Sequence, residues 1–182
     1  AKRGLLGRKS GAGFFKMEGK GENKRKFVLD YQAIDYRPSE KVSFPSLDAA
    51  KGEEDVGARI RKVISGDDKA AKYAWKVLSE SLLYTAKRIP EIADDVYNVD
   101  NAMKWGFAHE AGPFEVWDML GVADTVARME KDGVRVAPWV KEMLATGHPS
   151  FYKDGMYYDL KKKDYAPLPK PENVIVLKDQ KV

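Results

Sequence analysis

The sequence contains no cysteine and only two histidines, His109 and His148. The missing thiol excludes a disulfide framework, a thiolate zinc site, an iron–sulfur cluster and a cysteine nucleophile. The two histidines stand far apart, and neither belongs to an H-x-x-x-H or H-E-x-x-H pattern. We therefore predict that the chain holds no metal.

Long apolar runs are missing as well, since none approaches the roughly 18 residues that a membrane-spanning helix needs. The sequence shows no signal peptide and no N-x-S/T sequon. These absences predict a cytoplasmic protein without a membrane span. The chain opens on Ala1 instead of a methionine, and this predicts that it is a piece of a longer protein.

The positive charge is concentrated at the start of the chain. The whole sequence of 182 residues carries a net charge of +4, but residues 1–26 hold nine basic side chains and only two acidic ones. This segment is a solvated glycine-rich linker, a phosphate-binding arm or a nucleic-acid-binding arm. The linker fits best, and nucleic acid fits worst because Phe14 and Phe15 stand together instead of interleaving with the basic residues.

Hydrophobic periodicity predicts a mainly helical middle of the chain. Residues 1–52 show no sustained helical period and read as a connector with brief extended segments. Apolar spacing then predicts a helix from about Glu53 and a second from about Asp67 to Arg88. For that second helix the predicted core face comprises Ala70, Tyr73, Ala74, Val77, Leu78, Ser81, Leu82 and Thr85. Further helices are predicted to begin at Pro90, Pro113, about Asp124 and Pro138.

The tail of the chain predicts extended structure. The tight-turn dipeptide Asp154-Gly155 lies between aromatic runs and predicts a hairpin. Prolines 167, 169 and 171 follow, and the β-type run Val174–Leu177 predicts the first strand of a downstream domain.

No complete catalytic group of residues stands out. Gly11-Ala-Gly13 and Gly19-Lys-Gly21 match neither a P-loop nor a dinucleotide fingerprint. The acidic side chains of the middle region could serve acid/base chemistry, but structural use is favoured for these residues, Asp94, Asp95, Asp100, Glu110, Glu115 and Asp118. For His109 beside Glu110 a surface or capping role is likewise favoured over that of a base. Ser10 has no partner histidine in a hydrolase pattern.

The run from Val99 to Gly121 carries nine residues at a specific spacing: Asp100, Ala102, Met103, Gly106, Gly112, Pro113, Phe114, Asp118 and Gly121. It resembles the signature of the C-terminal domain of 3-hydroxyacyl-CoA dehydrogenases. The resemblance implies a mainly α fold, a helical bundle of the 6-phosphogluconate dehydrogenase C-terminal-like kind, with short β segments in the connector and the tail.

A second segment, Gly7–Phe15, is similar to the Gly-Arg-Lys-x-Gly-x-Gly-Phe-Tyr segment that closes one copy of the same domain. In multifunctional fatty-acid β-oxidation proteins this domain occurs twice, after an NAD-binding Rossmann domain. The resemblance implies four parts: the tail of a first copy (1–18), a connector (19–52), a second copy (53–150), and a hairpin with a proline-rich linker (151–182). An enoyl-CoA hydratase domain would suit the region downstream.

The family's catalytic residues and NAD fingerprint lie in the upstream domain, so the resemblance implies no catalytic and no cofactor-binding residue here. The first helix of an active copy carries a Gly-Phe-x-x-Asn-Arg motif, whereas this chain reads Ala-Ala-Lys-Tyr-Ala-Trp-Lys-Val-Leu from Ala70. The second copy therefore reads as degenerate and, alone, inactive. The substrate-binding candidates are Arg8 and Lys9, which could meet the phosphates of CoA.

The implied partners are the acyl-CoA substrate, the Rossmann and first-copy domains of the same protein, and a second copy of the chain in a homodimer. Two alternatives remain at this point. One is a non-catalytic helical interaction module, and the other is a polyanion-binding module that uses the basic first segment.

Overall fold

A computed structural model describes residues 4–169 of the chain, and these form two compact units that meet between Ser43 and Phe44. The predicted strand Val174–Leu177 lies outside the described residues. The molecule is mainly helical with short antiparallel strands, as the sequence predicted. No helix within residues 4–169 is long and apolar enough to cross a membrane.

The first unit is a three-stranded antiparallel sheet, which we call sheet 1. A 3₁₀ helix, Arg8–Ser10, precedes strands β1 (Phe15–Glu18), β2 (Arg25–Asp30) and β3 (Asp35–Pro38). The sequence predicted only brief extended segments and loops here. Because β1 pairs with β2, the sheet crosses the boundary that the sequence predicted at residue 18.

Within residues 44–169, the described part of the second unit, seven helices precede a second three-stranded antiparallel sheet, sheet 2. The helices are α1 (Pro45–Ala49), α2 (Val56–Ile64), α3 (Lys69–Lys87), α4 (Val96–Phe107), α5 (Pro113–Leu120), α6 (Val122–Lys131) and α7 (Pro138–Ala145). The strands are β4 (Tyr152–Lys153), β5 (Met156–Asp159) and β6 (Asp164–Pro167).

Aspartate caps set the starts of three helices. Asp55, Asp68 and Asp95 each accept a hydrogen bond from the backbone N–H three residues later, at the starts of α2, α3 and α4. The prediction that a helix starts at Pro90 is wrong for this reason: α4 begins only after the Asp95 cap. Pro113 and Pro138 do open α5 and α7, as predicted.

The core of the second unit is aromatic and is centred on Phe151. Its ring lies 4.9 Å from the ring of Phe114 and 5.4 Å from that of Trp117, measured between centroids. All three side chains are fully buried. The residue that leads into sheet 2 therefore sits inside the helical core, where burial of such a ring contributes several kcal/mol.

The core face of helix α3 is only partly the predicted one: Leu82 is buried and Ala74 and Leu78 pack against the core, as predicted, but the buried face is rotated. The core side of α3 holds Ala71, Trp75, Ser79, Leu82, Leu83 and Ala86. Tyr73 and Val77, which the sequence placed in the core, are 70% and 45% exposed. Trp75 explains the rotation, because its indole N–H donates to Asp132 at 2.6 Å and Arg128 stacks over its ring. Neither contact is visible from helical periodicity.

The hairpin predicted at Asp154-Gly155 is confirmed. Both residues have positive φ, 49° and 76°, as a two-residue turn with the twist of the strands requires. Strand β6 was missed, since its Pro167 suggested a linker. Pro167 occupies the last position of the sheet's third strand, where a proline does not interrupt a ladder on both sides.

Sheets 1 and 2 are built alike. Between the first two strands, Phe15 pairs with Val28 in sheet 1, and Tyr152 pairs with Tyr157 in sheet 2. Between the second and third strands, sheet 1 pairs residues from Phe27–Pro38 to Asp30–Asp35. Sheet 2 repeats this register from Met156–Pro167 to Asp159–Asp164. The two turns also match. Asp30 and Asp159 each accept two backbone N–H bonds from the residues two and three positions on, and Ile34 and Lys163 have the same φ of 56°.

A long-range bond extends this correspondence. The hydroxyl of Tyr36 donates to the carbonyl of Gly13 at 2.5 Å, and the hydroxyl of Tyr165 donates to the carbonyl of Ser150 at 2.8 Å. The sequence carries the signal for this repeat as Asp-x-x-x-x-Asp-Tyr-x-Pro, at residues 30–38 and again at residues 159–167. Sheet 1 is therefore a second example of the element that closes the helical unit.

Candidate functional site

The acidic residues Asp100 and Asp118 of the signature lie in one buried place, where α4, α5 and sheet 2 meet. Asp100 on α4 is fully buried and accepts backbone N–H bonds from Phe114 at 2.9 Å and Glu115 at 3.0 Å. These are free donors at the start of α5, where the helix dipole also favours a negative charge. The hydroxyl of Tyr152 donates a third bond at 2.9 Å.

Gly112 allows Asp100 to come this close. A Cβ at residue 112 would collide with the Asp100 side chain and with its Cα. The backbone N–H of Gly112 donates to Glu115 at 2.7 Å, and Glu115 also pairs with Lys104 at 2.5 Å. Gly106 of the same signature has nothing within 4 Å of such a Cβ. The two glycines therefore have different roles: Gly112 serves packing, and Gly106 does not.

Asp118 joins α5 to sheet 2. Its two carboxylate oxygens accept the backbone N–H bonds of Phe151 at 2.7 Å and Tyr152 at 2.8 Å. The sequence placed Asp118 near the end of a helix, but its partner at residue 151 was not predicted. We call Asp100, Asp118 and Tyr152 the carboxylate clamp, because together they hold α4, α5 and β4 to one another.

Burial dominates the ionisation of this clamp. It raises the pKa of Asp100 to about 6 and that of Asp118 to about 7, although the N–H bonds act in the opposite direction. Asp100 also raises the pKa of Asp118 through like-charge repulsion. The pKa of the Tyr152 hydroxyl is raised as well, first by burial and then by Asp100.

The clamp has the chemistry of a structural lock. The carboxylates of Asp100 and Asp118 accept hydrogen bonds from backbone N–H groups and from a phenol within the fold, and neither residue lines a groove. Within residues 4–169 no group of three or more His, Asp or Glu side chains could hold a metal. The structural use that the sequence favoured for Asp100 and Asp118 matches these contacts.

His109 and Glu110 are not brought together as a base and its partner. Glu110 pairs with Arg59 on α2 at 2.6 Å, whereas His109 is exposed and its ring contacts that of Phe107 at 6.3 Å between centroids. Asp94 pairs with Lys161 and Asp95 caps α4. The acidic residues that the sequence singled out therefore have separate structural partners.

His148 forms an arrangement that sequence reasoning missed. Its Nε2 lies 3.1 Å from Asp164 and its Nδ1 lies 3.0 Å from the hydroxyl of Thr146. The set resembles a catalytic triad, but the Thr146 hydroxyl also lies 3.0 Å from the carbonyls of Glu142 and Met143. Its proton therefore has acceptors within its own helix. The bond to His148 lowers the pKa of Asp164, and the array joins α7 to sheet 2.

Arg8 lines a groove in the first unit. The groove has a volume of about 690 Å³, and its lining combines Phe14 and Phe15 with the cations Arg8, Lys24 and Lys26. Lys9 is exposed but does not line it. Lys26 lies 4.0 Å from the centre of the Phe15 ring. The structure thus joins Arg8 to two lysines that the sequence did not name as candidates, and it separates Lys9 from them.

Comparison with known proteins shows that this chain is similar to proteins named as 3-hydroxyacyl-CoA dehydrogenases and fatty acid oxidation enzymes. It is 40% identical over 161 residues, 86% of the chain, to a Bacillus subtilis (strain 168) protein named probable 3-hydroxyacyl-CoA dehydrogenase, and covers 20% of that protein. The resemblance stated from the signature is confirmed by this relative. No protein-family profile matches the chain.

Two further relatives carry the name putative fatty acid oxidation complex trifunctional enzyme. Those of Rickettsia felis and Rickettsia prowazekii (strain Madrid E) are 29% and 27% identical over 114 residues, 62% of the chain, which covers 14% of each. The chain thus spans a fifth or less of the length of these relatives.

Proposed function

We propose that this chain is the structural, cleft-supporting part of an NAD-dependent 3-hydroxyacyl-CoA dehydrogenase of fatty-acid β-oxidation. The whole protein would convert 3-hydroxyacyl-CoA and NAD⁺ into 3-oxoacyl-CoA, NADH and a proton. The observation that carries the supporting role is the carboxylate clamp, which uses the signature residues Asp100 and Asp118 to hold helices and sheet together. Its effect on hydride transfer would be indirect, through positioning of the domain that reacts.

The described residues do not fit NAD. A dinucleotide site needs a parallel strand–helix–strand unit with a glycine-rich turn at the start of the helix. Both sheets here are antiparallel, and Gly11 follows a 3₁₀ helix and is itself part of a turn. We therefore assign NAD to a Rossmann domain outside these residues, and we derive no catalytic step within them.

We further propose that Arg8 and Lys9 meet the phosphates of CoA, with Lys24 and Lys26 alongside Arg8 in the groove. Charge-assisted bonds to phosphate suit these side chains. Within the described residues none of Arg8, Lys9 or Lys24 has an ion-pair partner. Calorimetric titration with CoA tests this: Arg8→Ala should weaken binding several-fold, whereas Lys62→Ala, which removes a cation paired with Glu53, should not. Equal competition by DNA would instead indicate a non-specific polyanion arm.

The decisive experiment is an NADH-oxidation assay with acetoacetyl-CoA. It compares this chain with the full-length product of the gene that encodes it. The proposal expects turnover only by the longer protein. Turnover by the 182-residue chain alone would contradict the assignment of the cofactor site, and no turnover by either would contradict the reaction.

A second candidate function, a helical interaction module, is favoured by the exposed side of α3. Tyr73, Val77 and Tyr84 are 70%, 45% and 63% exposed on this helix. A neighbouring groove of about 340 Å³ lies between α2 and α3. Sedimentation of this chain tests it: a dimer that the double change Tyr73→Ser and Tyr84→Ser dissociates would support the module. A monomer at all concentrations would exclude self-pairing.

A further inference from the structure

The loop that precedes sheet 1 is fastened at several points. The backbone N–H of Gly7 donates to the carbonyl of Ala12 at 2.9 Å, and the hydroxyl of Ser10 lies 3.0 Å from the carbonyls of these same two residues. Gly13 lets the loop close on itself, because a Cβ there would stand 2.7 Å from the Cα of Gly7. Arg8, which opens the 3₁₀ helix, therefore belongs to a fixed turn and not to a free arm.

One face of sheet 1 continues from this loop and supplies the apolar part of the groove of about 690 Å³. Met17 pairs directly with Lys26, and Phe15 stands two residues before Met17, so these three side chains share a face of the sheet. The Nζ atom of Lys26 lies 4.0 Å from the centre of the Phe15 ring. Phe14 lines the same groove and is 81% exposed, and within residues 4–169 its ring has neither a cation nor another ring against it.

The cations of the groove have no acidic partners. Within the described part of the chain, Arg8, Lys24 and Lys26 form no ion pair. Glu18 on β1 pairs with Lys16 at 2.6 Å, and both of these residues alternate to the opposite face of the strand from Met17. The groove therefore combines an exposed aromatic ring with uncompensated positive charge. A ligand that complements both has a flat ring and several phosphates.

We infer that this groove binds a nucleotide as a whole, with the base on the ring of Phe14 and the phosphates at Arg8, Lys24 and Lys26. The inference rests on the proposed function and deepens it, since the ligand becomes the nucleotide end of CoA, base included, instead of its phosphates alone. The volume of the groove falls within the roughly 300–1,000 Å³ of small-molecule sites. Stacking on an aromatic ring and charge-assisted bonds to phosphate are the contacts that hold such a ligand.

The shape of the groove favours a single nucleotide over a nucleic-acid strand. Proteins that bind single strands offer successive aromatic side chains along a charged groove. Here Phe14 and Phe15 are neighbours, and Lys26 already lies over the ring of Phe15, so the groove offers a stacking surface to one base. CoA carries a pyrophosphate and a further phosphate on its ribose. A free nucleoside triphosphate shares this chemistry, and the experiment distinguishes the two.

Calorimetric titration of the 182-residue chain tests the inference with CoA, dephospho-CoA, ATP and inorganic pyrophosphate. CoA should bind more tightly than pyrophosphate, by about 10-fold, because only CoA has a base to stack. Phe14→Ser should weaken CoA binding by about 10-fold and leave pyrophosphate binding unchanged, which also shows that the cationic part of the groove is intact. The control Tyr31→Ser removes an aromatic ring of similar exposure, 79%, from the turn between β2 and β3, and it should change neither.

The four ligands also identify the source of the nucleotide. Tighter binding of CoA than of dephospho-CoA and ATP would support the site and assign it to CoA, whereas tightest binding of ATP would support the site and assign it to a free nucleotide. Pyrophosphate that binds as tightly as CoA would overturn the inference. Equal losses of CoA binding in Phe14→Ser and Tyr31→Ser, or an oligodeoxynucleotide that binds more tightly than CoA and ATP, would overturn it as well.

The same measurements separate this inference from the proposed function. If the full-length gene product turns over acetoacetyl-CoA but this chain binds no nucleotide, the groove assignment alone is refuted. If this chain binds CoA as expected but the full-length product shows no turnover, the proposed reaction alone is refuted.

Discussion

Sheets 1 and 2 have the same architecture, but their leading phenylalanines differ in burial. They share pairing register, turn geometry and the tyrosine bond to the first strand, yet Phe14 is exposed and Phe151 is buried. The shared part depends on short-range sequence, because the Asp-x-x-x-x-Asp-Tyr-x-Pro pattern supplies both the turn and the tyrosine. Burial depends on a helical layer, which only sheet 2 has within the described residues.

The largest expected difference between the two sheets concerns their leading phenylalanines. Phe151→Ala should reduce the unfolding free energy of residues 44–169 by about 3–5 kcal/mol, since it leaves a cavity in the aromatic core. Phe14→Ala in the same chain should change it by less than about 0.5 kcal/mol, as an exposed side chain does. Urea unfolding followed by tryptophan fluorescence measures this cleanly, because Trp75, Trp105, Trp117 and Trp139 all lie in the second unit. Equal losses of unfolding free energy in the two variants would contradict the difference in burial between Phe14 and Phe151.

The second-largest expected effect is the pH dependence of the unfolding free energy that arises from the carboxylate clamp next to sheet 2. The folded-state pKa values of Asp100 and Asp118, about 6 and about 7, lie above their ordinary value. A carboxyl group with a raised folded-state pKa contributes its full stabilisation at pH values below its unfolded-state pKa. This stabilisation is lost as the pH rises through the folded-state pKa. We expect the unfolding free energy to fall by roughly 2–4 kcal/mol between pH 5 and pH 8.

The matched control for that pH profile is Asp118→Asn, which removes the group with the higher pKa. The variant should flatten the profile between pH 6 and pH 8. Groups whose pKa values are lowered, such as Asp68 and Asp164, are already ionised across this window and add no slope. A profile that rises with pH would show that the clamp favours the ionised carboxylate.

Removing the clamp's link to sheet 2 should have a smaller effect. Asp118→Ala leaves the N–H groups of Phe151 and Tyr152 without acceptors, but it also removes a costly buried acid. We expect a net loss of about 1–3 kcal/mol. Asp67→Ala, which removes an almost fully exposed carboxylate paired with Lys72, serves as the control and should be near neutral. Faster hydrogen exchange at residues 151–152 in Asp118→Ala, and not in the control, would locate the loss.

The smallest of these effects separates the two signature glycines. Gly112→Ala forces α4 away from α5 and should cost about 1–2 kcal/mol through overpacking. Gly106→Ala meets open space inside a helix and should be neutral or stabilise by up to about 1 kcal/mol. Thermal unfolding of the two variants side by side measures the difference. A stabilising Gly112→Ala would show that the clamp tolerates a wider helix spacing than its geometry indicates.

Local chemistry made much of the helical unit predictable. Prolines at the first turn and a tight-turn dipeptide placed α5, α7 and the β4–β5 hairpin correctly. Contacts between residues far apart in the sequence could not be predicted. The rotation of α3 depends on Trp75 meeting Asp132, and the role of Asp118 depends on residue 151. Sheet 1 was not predicted as a sheet, although the pattern at residues 30–38 recurs at residues 159–167, because neither stretch has an alternating hydrophobic period that marks a strand.

Fluorine NMR of 4-fluorophenylalanine at position 14, with position 151 as internal reference, tests the central comparison most directly. In this chain the resonance at position 14 should shift between H₂O and D₂O as an exposed ring does, and that at position 151 should not. A resonance at position 14 that is insensitive to the solvent, or one at position 151 that shifts, would contradict the account.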